Sequence, residues 1–286
     1  MAQPENANIL KHLEALVGER NPFTTPGPLE QAAGYIAHQF QSMGLSVSRE
    51  EVSFEGTTSH NILGLKEGTN PSVETFILGA HYDTVQGTPG ADDNASAVAA
   101  LLEVARCLEG TAVQGSILFT AFTLEEYGFI GSSQMAARIK ESGESISGML
   151  SLEMLGYRTR EPGSQTYPVY VDPTRYPVTG DFIAVVGNEP SQTLALGLAK
   201  ALKQTTPELG VESLVLPGRA DDFVEVRLSD HCPFWELDFK AAMLSDTAFF
   251  RNPHYHQSTD TLETLDIDFI REICVGLVEY LKHPIT

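Results

Sequence analysis

Residues 75–109, "TFILGAHYDTVQGTPGADDNASAVAALLEVARCLE", decide the fold. They open with a continuous apolar run at 75–80, which is typical of a strand that is buried on both faces of a sheet. A polar loop follows, and the spacing of apolar residues over 95–109 predicts a helix. A buried strand followed by a loop and a helix is the start of a strand–helix–strand unit, which builds parallel sheets.

The same alternation recurs along the rest of the chain. Further strands are predicted at 116–122, 146–154, 182–187, 213–217 and 240–246, and further helices at 132–140, at 192–204 and near 266–282. Upstream, the pattern predicts a helix over 28–43 and a hairpin formed by 45–54 and 60–66. The sequence therefore predicts an α/β protein with an open, largely parallel sheet and helices on both faces, in one domain over 1–286.

One segment, 157–181, is rich in Pro and Tyr and has no clean period. We interpret it as a long ordered loop near a functional site, because loops of that length in compact domains are usually functional.

Charge and composition exclude several function classes. The chain has 286 residues, with 18 Lys and Arg against 38 Asp and Glu, for a net charge of −20. Such a field repels nucleic acid and anionic lipid, so neither is expected as a partner. No apolar run approaches the roughly 18 residues of a membrane span. The three cysteines, far apart in sequence, do not form a disulfide framework. We expect a soluble protein, cytoplasmic as its sequence stands, with secretion or a periplasmic location left open.

Residues with metal-binding side chains follow the predicted strands. In open α/β sheets ligands bind beyond the carboxyl ends of the strands, and the stretches found there are "AHYD", "TLEE", "LEM" and "SDTAFFRNPHYH". Together with "GADDNAS" at a loop-to-helix junction they supply two imidazoles and three carboxylates: His81, Asp93, Glu126, Glu153 and His256. A catalytic zinc ion takes three protein ligands and keeps a position for water, so two ions that share Asp93 would use all five.

Each of these residues also has an ordinary explanation. A single histidine after a strand is usually a polar rim residue, and a Glu pair is usually a solvated face. Asp92, Asp93 and Asn94 can simply cap the helix that follows. Their convergence on one edge of the sheet favours the metal site.

Two more carboxylates fit supporting roles at this site. Asp83 follows His81 by two residues, close enough for its carboxylate to accept the other ring N–H and fix the tautomer. Glu125 and Glu126 are adjacent and leave their strand in different directions. Glu126 can therefore bind metal while Glu125 faces a metal-bound water as a general base.

The chain resembles the co-catalytic zinc aminopeptidases, the family of aminopeptidase Y and the bacterial leucyl aminopeptidases. Glutamate carboxypeptidase II and glutaminyl cyclase are more distant branches. The resemblance covers residues 30–282 and is carried by "GAHYDT", "TPGADDNASAVAALLEVAR", "FTLEEYGFIGS", "SLEMLGY", "SDHCPFW" and "LSDTAFFRNPHYHQSTDTLETLD". It implies a three-layer α/β/α sandwich of the phosphorylase/hydrolase type with a mixed, mainly parallel sheet.

The resemblance also implies roles for individual residues. One zinc ion is implied at His81 and Glu153, a second at Glu126 and His256, and Asp93 is implied as their shared ligand. Glu153 stands where many family members have Asp. Three further positions match supporting groups of the family: Glu125 its general acid/base, Asp83 its histidine-orienting aspartate, and Tyr255 a tyrosine that helps to polarise the scissile carbonyl.

These residues lead to the hypothesis of a zinc exopeptidase that removes the first residue of peptides with a free N-terminus. In this hypothesis a water between two zinc ions attacks the first peptide bond and Glu125 takes its proton. The aromatic residues of 157–181 and of "AFF" at 248–250 favour an apolar first residue. The alternatives are a glutaminyl-peptide cyclotransferase and a metal-free binding module on the same scaffold.

Overall fold

The computed structural model describes residues 2–285. Within them, a single sheet of eight strands has the order β1-β2-β4-β3-β5-β8-β6-β7. The strands are β1 Ser46–Phe54, β2 Thr57–Lys66, β3 Thr75–His81, β4 Ile117–Phe122, β5 Ile146–Glu153, β6 Phe182–Asn188, β7 Gly210–Leu216 and β8 Ala241–Ser245.

The sheet is mixed and mainly parallel, as the family resemblance implies. β3, β4, β5 and β8 run in one direction, since β3 pairs in parallel with β4 and β5, and β5 with β8. The predicted hairpin is confirmed as the antiparallel pair β1 and β2, and β2 joins β4 antiparallel as well. At the other side β6 is parallel to β7 but antiparallel to β8. The carboxyl ends of the four co-directional strands therefore meet at one edge.

Helices cover both faces of the sheet, so the three-layer architecture is confirmed. The helices are α1 Asn6–Leu16, α2 Pro26–Ser42, α3 Ala97–Cys107, α4 Ile130–Ser142, α5 Gln192–Thr205, α6 Cys232–Glu236 and α7 Ile267–Lys282. One apolar cluster joins one face of the sheet to α1, α2, α3, α5 and α7. A second cluster joins the opposite face to α4 and α6.

Helix α1 has no counterpart in the sequence-based prediction. It buries Ile9, Leu13 and Leu16, which recur at helical spacing against the first cluster. Within residues 2–285 no helix combines the length and the apolar character that a bilayer crossing needs.

The central strand β3 shows why its sequence is apolar throughout. Residues Phe76 to His81 are all buried, because β3 lies between β4 and β5 and is covered by helices on both faces. Gly79 allows the aromatic ring of Phe122 to pack over the strand, since a Cβ atom at Gly79 would lie 2.3 Å from Cε2 of Phe122. His81 ends the strand two residues beyond this contact.

Candidate metal centre

Side chains from four strand ends and one helix-leading turn meet at the carboxyl edge of the sheet. His81 is the last residue of β3 and Glu153 the last residue of β5. Glu126 lies in a short 3-10 turn after β4, and His256 lies in the segment after β8. Asp93 lies in the turn that leads into α3, where its peptide bond to Asn94 is cis.

The five side chains form two groups with one shared member. In the first group, ligand atoms of His81, Asp93 and Glu153 all lie within 4.8 Å of one another, and in the second group those of Asp93, Glu126 and His256 do so. Asp93 turns one carboxylate oxygen toward each histidine. Its Oδ1 lies 3.3 Å from Nε2 of His81, and its Oδ2 lies 3.1 Å from Nε2 of His256.

The separations fit zinc coordination. Ligand atoms placed tetrahedrally about 2.0–2.1 Å from a zinc ion lie about 3.3 Å from one another. In the first group Nε2 of His81 lies 3.6 Å from Oε2 of Glu153, and in the second group Nε2 of His256 lies 3.2 Å from Oε2 of Glu126. Imidazole nitrogens and carboxylate oxygens are also the donors that zinc takes in catalytic sites.

Two buried oxygens support the same conclusion. Within residues 2–285, Oδ1 of Asp93 and Oε1 of Glu126 are buried and have no hydrogen-bond partner. A buried carboxylate oxygen without a partner is costly, and unpartnered groups of this kind often mark an ion site. The donor set therefore fits a metal centre.

The charges of the cluster depend on one another. Burial lowers the pKa of His256, but hydrogen bonds to Asp93 and Glu126 outweigh it and raise this pKa to about 10. Burial likewise opposes a charge on His81, yet the carboxylates of Glu125 and Glu153 raise its pKa well above the ordinary value. Burial, reinforced by Asp93, raises the pKa of Glu126 to about 7. The carboxylates thus raise the proton affinity of both imidazoles. The same negative charges favour the binding of cations in the cleft.

Asp83 organises the ends of both β3 and β4. Its carboxylate accepts the backbone N–H of Glu125 at 3.1 Å and that of Glu126 at 3.3 Å. The same carboxylate lies 3.6 Å from Nδ1 of His81, while the carbonyl oxygen of Asp83 is 3.3 Å from that nitrogen. A carbonyl oxygen only accepts, so this contact keeps the hydrogen on Nδ1 and leaves the Nε2 lone pair to face Asp93 and Glu153. Both the carbonyl oxygen and the carboxylate of Asp83 thus face Nδ1 of His81, and the role of the carboxylate in orienting this ring stays a prediction.

Glu125 lies beside the first group, and ligand atoms of His81, Glu125 and Glu126 also lie within 4.8 Å of one another. Oε2 of Glu125 is 3.9 Å from Nε2 of His81, and the residue is 7% exposed. Burial and the neighbouring carboxylates Glu153 and Glu126 raise its pKa well above the ordinary value, although His81 opposes them. Its carboxylate is therefore suited to hold a proton near the cleft.

A model of peptidase family M28 matches residues 61–280, which is most of the chain. The chain belongs to peptidase family M28. The uncharacterized protein YfbL of Escherichia coli is 35% identical over 267 residues, which cover 88% of this chain and 80% of YfbL. The resemblance drawn from the sequence motifs is thereby confirmed.

Two solved structures are similar to this M28 chain. The LapA aminopeptidase of Legionella pneumophila has a TM-score of 0.77 at 21% identity, over 99% of this chain and 73% of LapA, and shows the shared fold. BSAP, a zinc aminopeptidase from Bacillus subtilis, has a TM-score of 0.61 at 25% identity, over 79% of this chain and 51% of that chain.

Sequence reasoning missed several residues that hold the M28 centre in place. Oγ of Ser229 donates to Oε2 of Glu153 at 2.8 Å. The carboxylate of Asp260 accepts the backbone N–H of Asp92 at 2.8 Å and that of Asp93 at 3.1 Å. Both Ser229 and Asp260 stand in quoted motifs, "SDHCPFW" and "LSDTAFFRNPHYHQSTDTLETLD", but nothing in those motifs names their partners.

Arg20 was also missed, and it joins the two loops of the centre. It is 2% exposed and donates to the carbonyl oxygen of Tyr82 at 2.7 Å and to that of Gly90 at 3.0 Å. Tyr82 follows His81 directly, and Gly90 lies three residues before Asp93. One side chain thus ties the end of β3 to the turn that carries the shared carboxylate.

Tyr255 stacks on His256, with ring centroids 3.8 Å apart and planes at 19°. Together with Glu153 it lines a mainly apolar cleft that opens beside the centre. Loop 157–181 covers this cleft with Gln165, Tyr167 and Tyr176. The expected position of this loop near the site is confirmed.

Proposed function

We propose that this M28 chain is a zinc-dependent aminopeptidase that hydrolyses the first peptide bond of peptides, acting as a single zinc peptidase domain. The observation that carries the proposal is the pair of ligand groups that share Asp93, with Glu125 beside them and an apolar cleft next to Glu153. The likeness to a zinc aminopeptidase at 25% identity supports both the metal and the activity.

We further propose two zinc ions, one in each group. His81, Asp93 and Glu153 would hold the first ion, and Asp93, Glu126 and His256 the second. Bound zinc would supply Lewis-acid activation of a carbonyl oxygen and of a water molecule. The other tasks of the reaction then fall to side chains of this protein.

Glu125 is the proposed general acid and base. Its carboxylate takes a proton from the attacking water and returns it to the leaving amine. Because burial raises its pKa, the protonated form that this second step needs is accessible. The backbone N–H contacts with Asp83 fix the turn that holds Glu125.

The cleft also suits a substrate with a free N-terminus. An α-ammonium group is attracted to a buried site with several carboxylates, and the net charge of −20 supports the approach of cations. Tyr255 lies within the same cleft, where its hydroxyl is proposed to polarise the scissile carbonyl.

Aminoacyl p-nitroanilides, free peptides and the same peptides with acetylated N-termini test this proposal. We expect release of the first residue from free peptides, no release from acetylated ones, and loss of activity with a chelator that zinc restores. Release of the last residue, or activity that survives removal of all metal, would contradict the proposal. A purified chain that binds no zinc would indicate a binding module instead.

A peptide that begins with glutamine distinguishes an aminopeptidase from a glutaminyl-peptide cyclotransferase. An aminopeptidase releases free glutamine, whereas a cyclotransferase releases ammonia and leaves a peptide with a closed N-terminal ring. Ammonia release without free glutamine would contradict the aminopeptidase proposal and indicate a cyclotransferase.

A further inference from the structure

A single row of paired residues connects the metal centre to the far side of the cleft. Glu153 of β5 pairs with Ser245 of β8, Ser245 with Ala184 of β6, and Ala184 with Glu212 of β7. Paired residues on neighbouring strands point to the same face, and strands lie about 4.8 Å apart. Glu212 therefore stands about 14 Å from Glu153, three strands away on the same face. All four residues line the cleft.

The middle of this row forms a narrow apolar groove. Ser245 and Ala184 have small side chains, so they leave space above the sheet between Glu153 and Glu212. The larger side chains of Met243 and Leu214, which stand together in the adjacent row of Val186, flank it on one side. Tyr167 of loop 157–181 also lines the cleft. This shape suits a long unbranched stem better than a branched side chain.

Besides Glu153, the cleft carries two carboxylates, and one of them stands at the far end of the row. Glu212 and Glu225 both line the cleft and are half-buried. Among residues 2–285, neither has a Lys, Arg or His partner within ion-pair distance. Arg227 follows Glu225 by two residues, but it pairs with Asp221 and Glu236 instead. A cation stabilises a carboxylate in an apolar cleft. Here a substrate with a positively charged side chain would supply that cation.

From this arrangement we propose that the enzyme prefers lysine or arginine as the first residue of its substrate. An extended lysine or arginine side chain reaches about 6–7 Å from its Cα atom. Its stem lies over Ala184 and Ser245, and its cation meets Glu212 and Glu225. The inference rests on the proposed aminopeptidase function and names its substrate class, where the sequence alone favoured an apolar first residue.

Lysine and norleucine form the decisive substrate pair, because norleucine has a four-carbon stem without the ammonium group. We expect kcat/KM for lysyl and arginyl p-nitroanilide to exceed that for the norleucyl compound by about tenfold or more. We also expect the free amino acid lysine to bind more tightly than norleucine in calorimetry. Both differences should shrink as salt concentration rises, because ions screen partly exposed charges.

Variants assign the preference to the two carboxylates. In Glu212→Gln and Glu225→Gln we expect the ratio of kcat/KM for lysine over norleucine to fall several-fold, and in the double variant to approach one. Glu208→Gln removes the same charge at an exposed position outside the cleft, and it should leave the ratio unchanged.

The outcomes separate this inference from the proposed function. Hydrolysis of norleucyl or leucyl substrate without a preference for lysine would overturn the inference alone. A lysine preference that persists in the double variant would do the same. If the zinc-loaded protein hydrolyses none of the aminoacyl substrates, the proposed function falls and the inference falls with it.

Discussion

Oδ2 of Asp93 lies 3.1 Å from Nε2 of His256. The other oxygen of the same carboxylate faces His81 at 3.3 Å. A carboxylate with one oxygen toward each of two ligand groups can serve two ions at once, and the amide of asparagine cannot, since it offers a single oxygen. Loss of this one charge should therefore affect both groups.

Replacement of Asp93 with Asn tests the shared ligand. We expect bound zinc to fall below the wild-type content and kcat/KM to drop at least about a hundredfold, because both ions lose a negative ligand. Metal analysis and p-nitroanilide kinetics measure the two effects. Asp238→Asn changes an exposed residue that pairs with Arg219 and serves as the control. Full zinc content and activity in Asp93→Asn would exclude the bridging role.

Asp83→Asn tests the residue that orders the ends of two strands. The amide keeps one acceptor for the N–H groups of Glu125 and Glu126, but its NH₂ group would face the other N–H. We expect zinc affinity to fall about 10–100-fold, as is typical when a partner of the ligands is lost. Competition with a chelating dye measures the affinity. An unchanged zinc dissociation constant would show that Asp83 does not support the ligands.

Glu125→Gln separates proton transfer from metal binding. Glutamine has almost the same shape but takes no proton, so kcat/KM should fall by a factor of about 10²–10⁴ while zinc content stays constant. Glu125→Asp keeps a carboxylate with a shorter reach, and we expect it to retain more activity than Glu125→Gln. If Glu125→Gln keeps more than about a hundredth of wild-type kcat/KM, the assignment of the general base is wrong.

Much of the fold follows from local sequence signals. The buried run at 75–80 and the helix over 192–204 are found at Thr75–His81 and Gln192–Thr205, because fully buried strands and amphipathic helices have strong periodic patterns. No local sequence pattern indicates that β6 runs antiparallel to β8. Their antiparallel pairing depends on how the chain returns through 189–240, which no local pattern encodes.

The candidate site also has one part that local sequence signals indicate and one part that they do not. Its ligand-type residues could be proposed from the sequence because they stand in the segments that follow strands, where the fold class concentrates function. The residues that support them could not. Ser229 and Glu153 are 76 positions apart, and Asp260 and Asp92 are 168 apart, so only the folded chain reveals their hydrogen bonds.

His12 gives a prediction for acid stability that is independent of the metal centre. It lies buried on α1, with Nδ1 2.8 Å from the Tyr35 hydroxyl. Burial lowers its pKa to about 4 although Glu103 opposes this, whereas an unfolded histidine has a pKa of about 6.5. Between these values the unfolded chain binds a proton that the folded chain does not. The contribution of His12 to stability is therefore full above about pH 6.5 and is lost as the pH falls toward 4.

His12→Asn removes this proton uptake. We expect the free energy of unfolding to depend less steeply on pH between 6.5 and 4.5 than in the wild type, by up to about 1.4 kcal/mol per pH unit. Urea unfolding at several pH values measures this slope. His38→Asn, at an exposed position of α2, is the matched control and should keep the wild-type slope. Equal slopes for His12→Asn and the wild type would show that His12 does not bind the proton on unfolding.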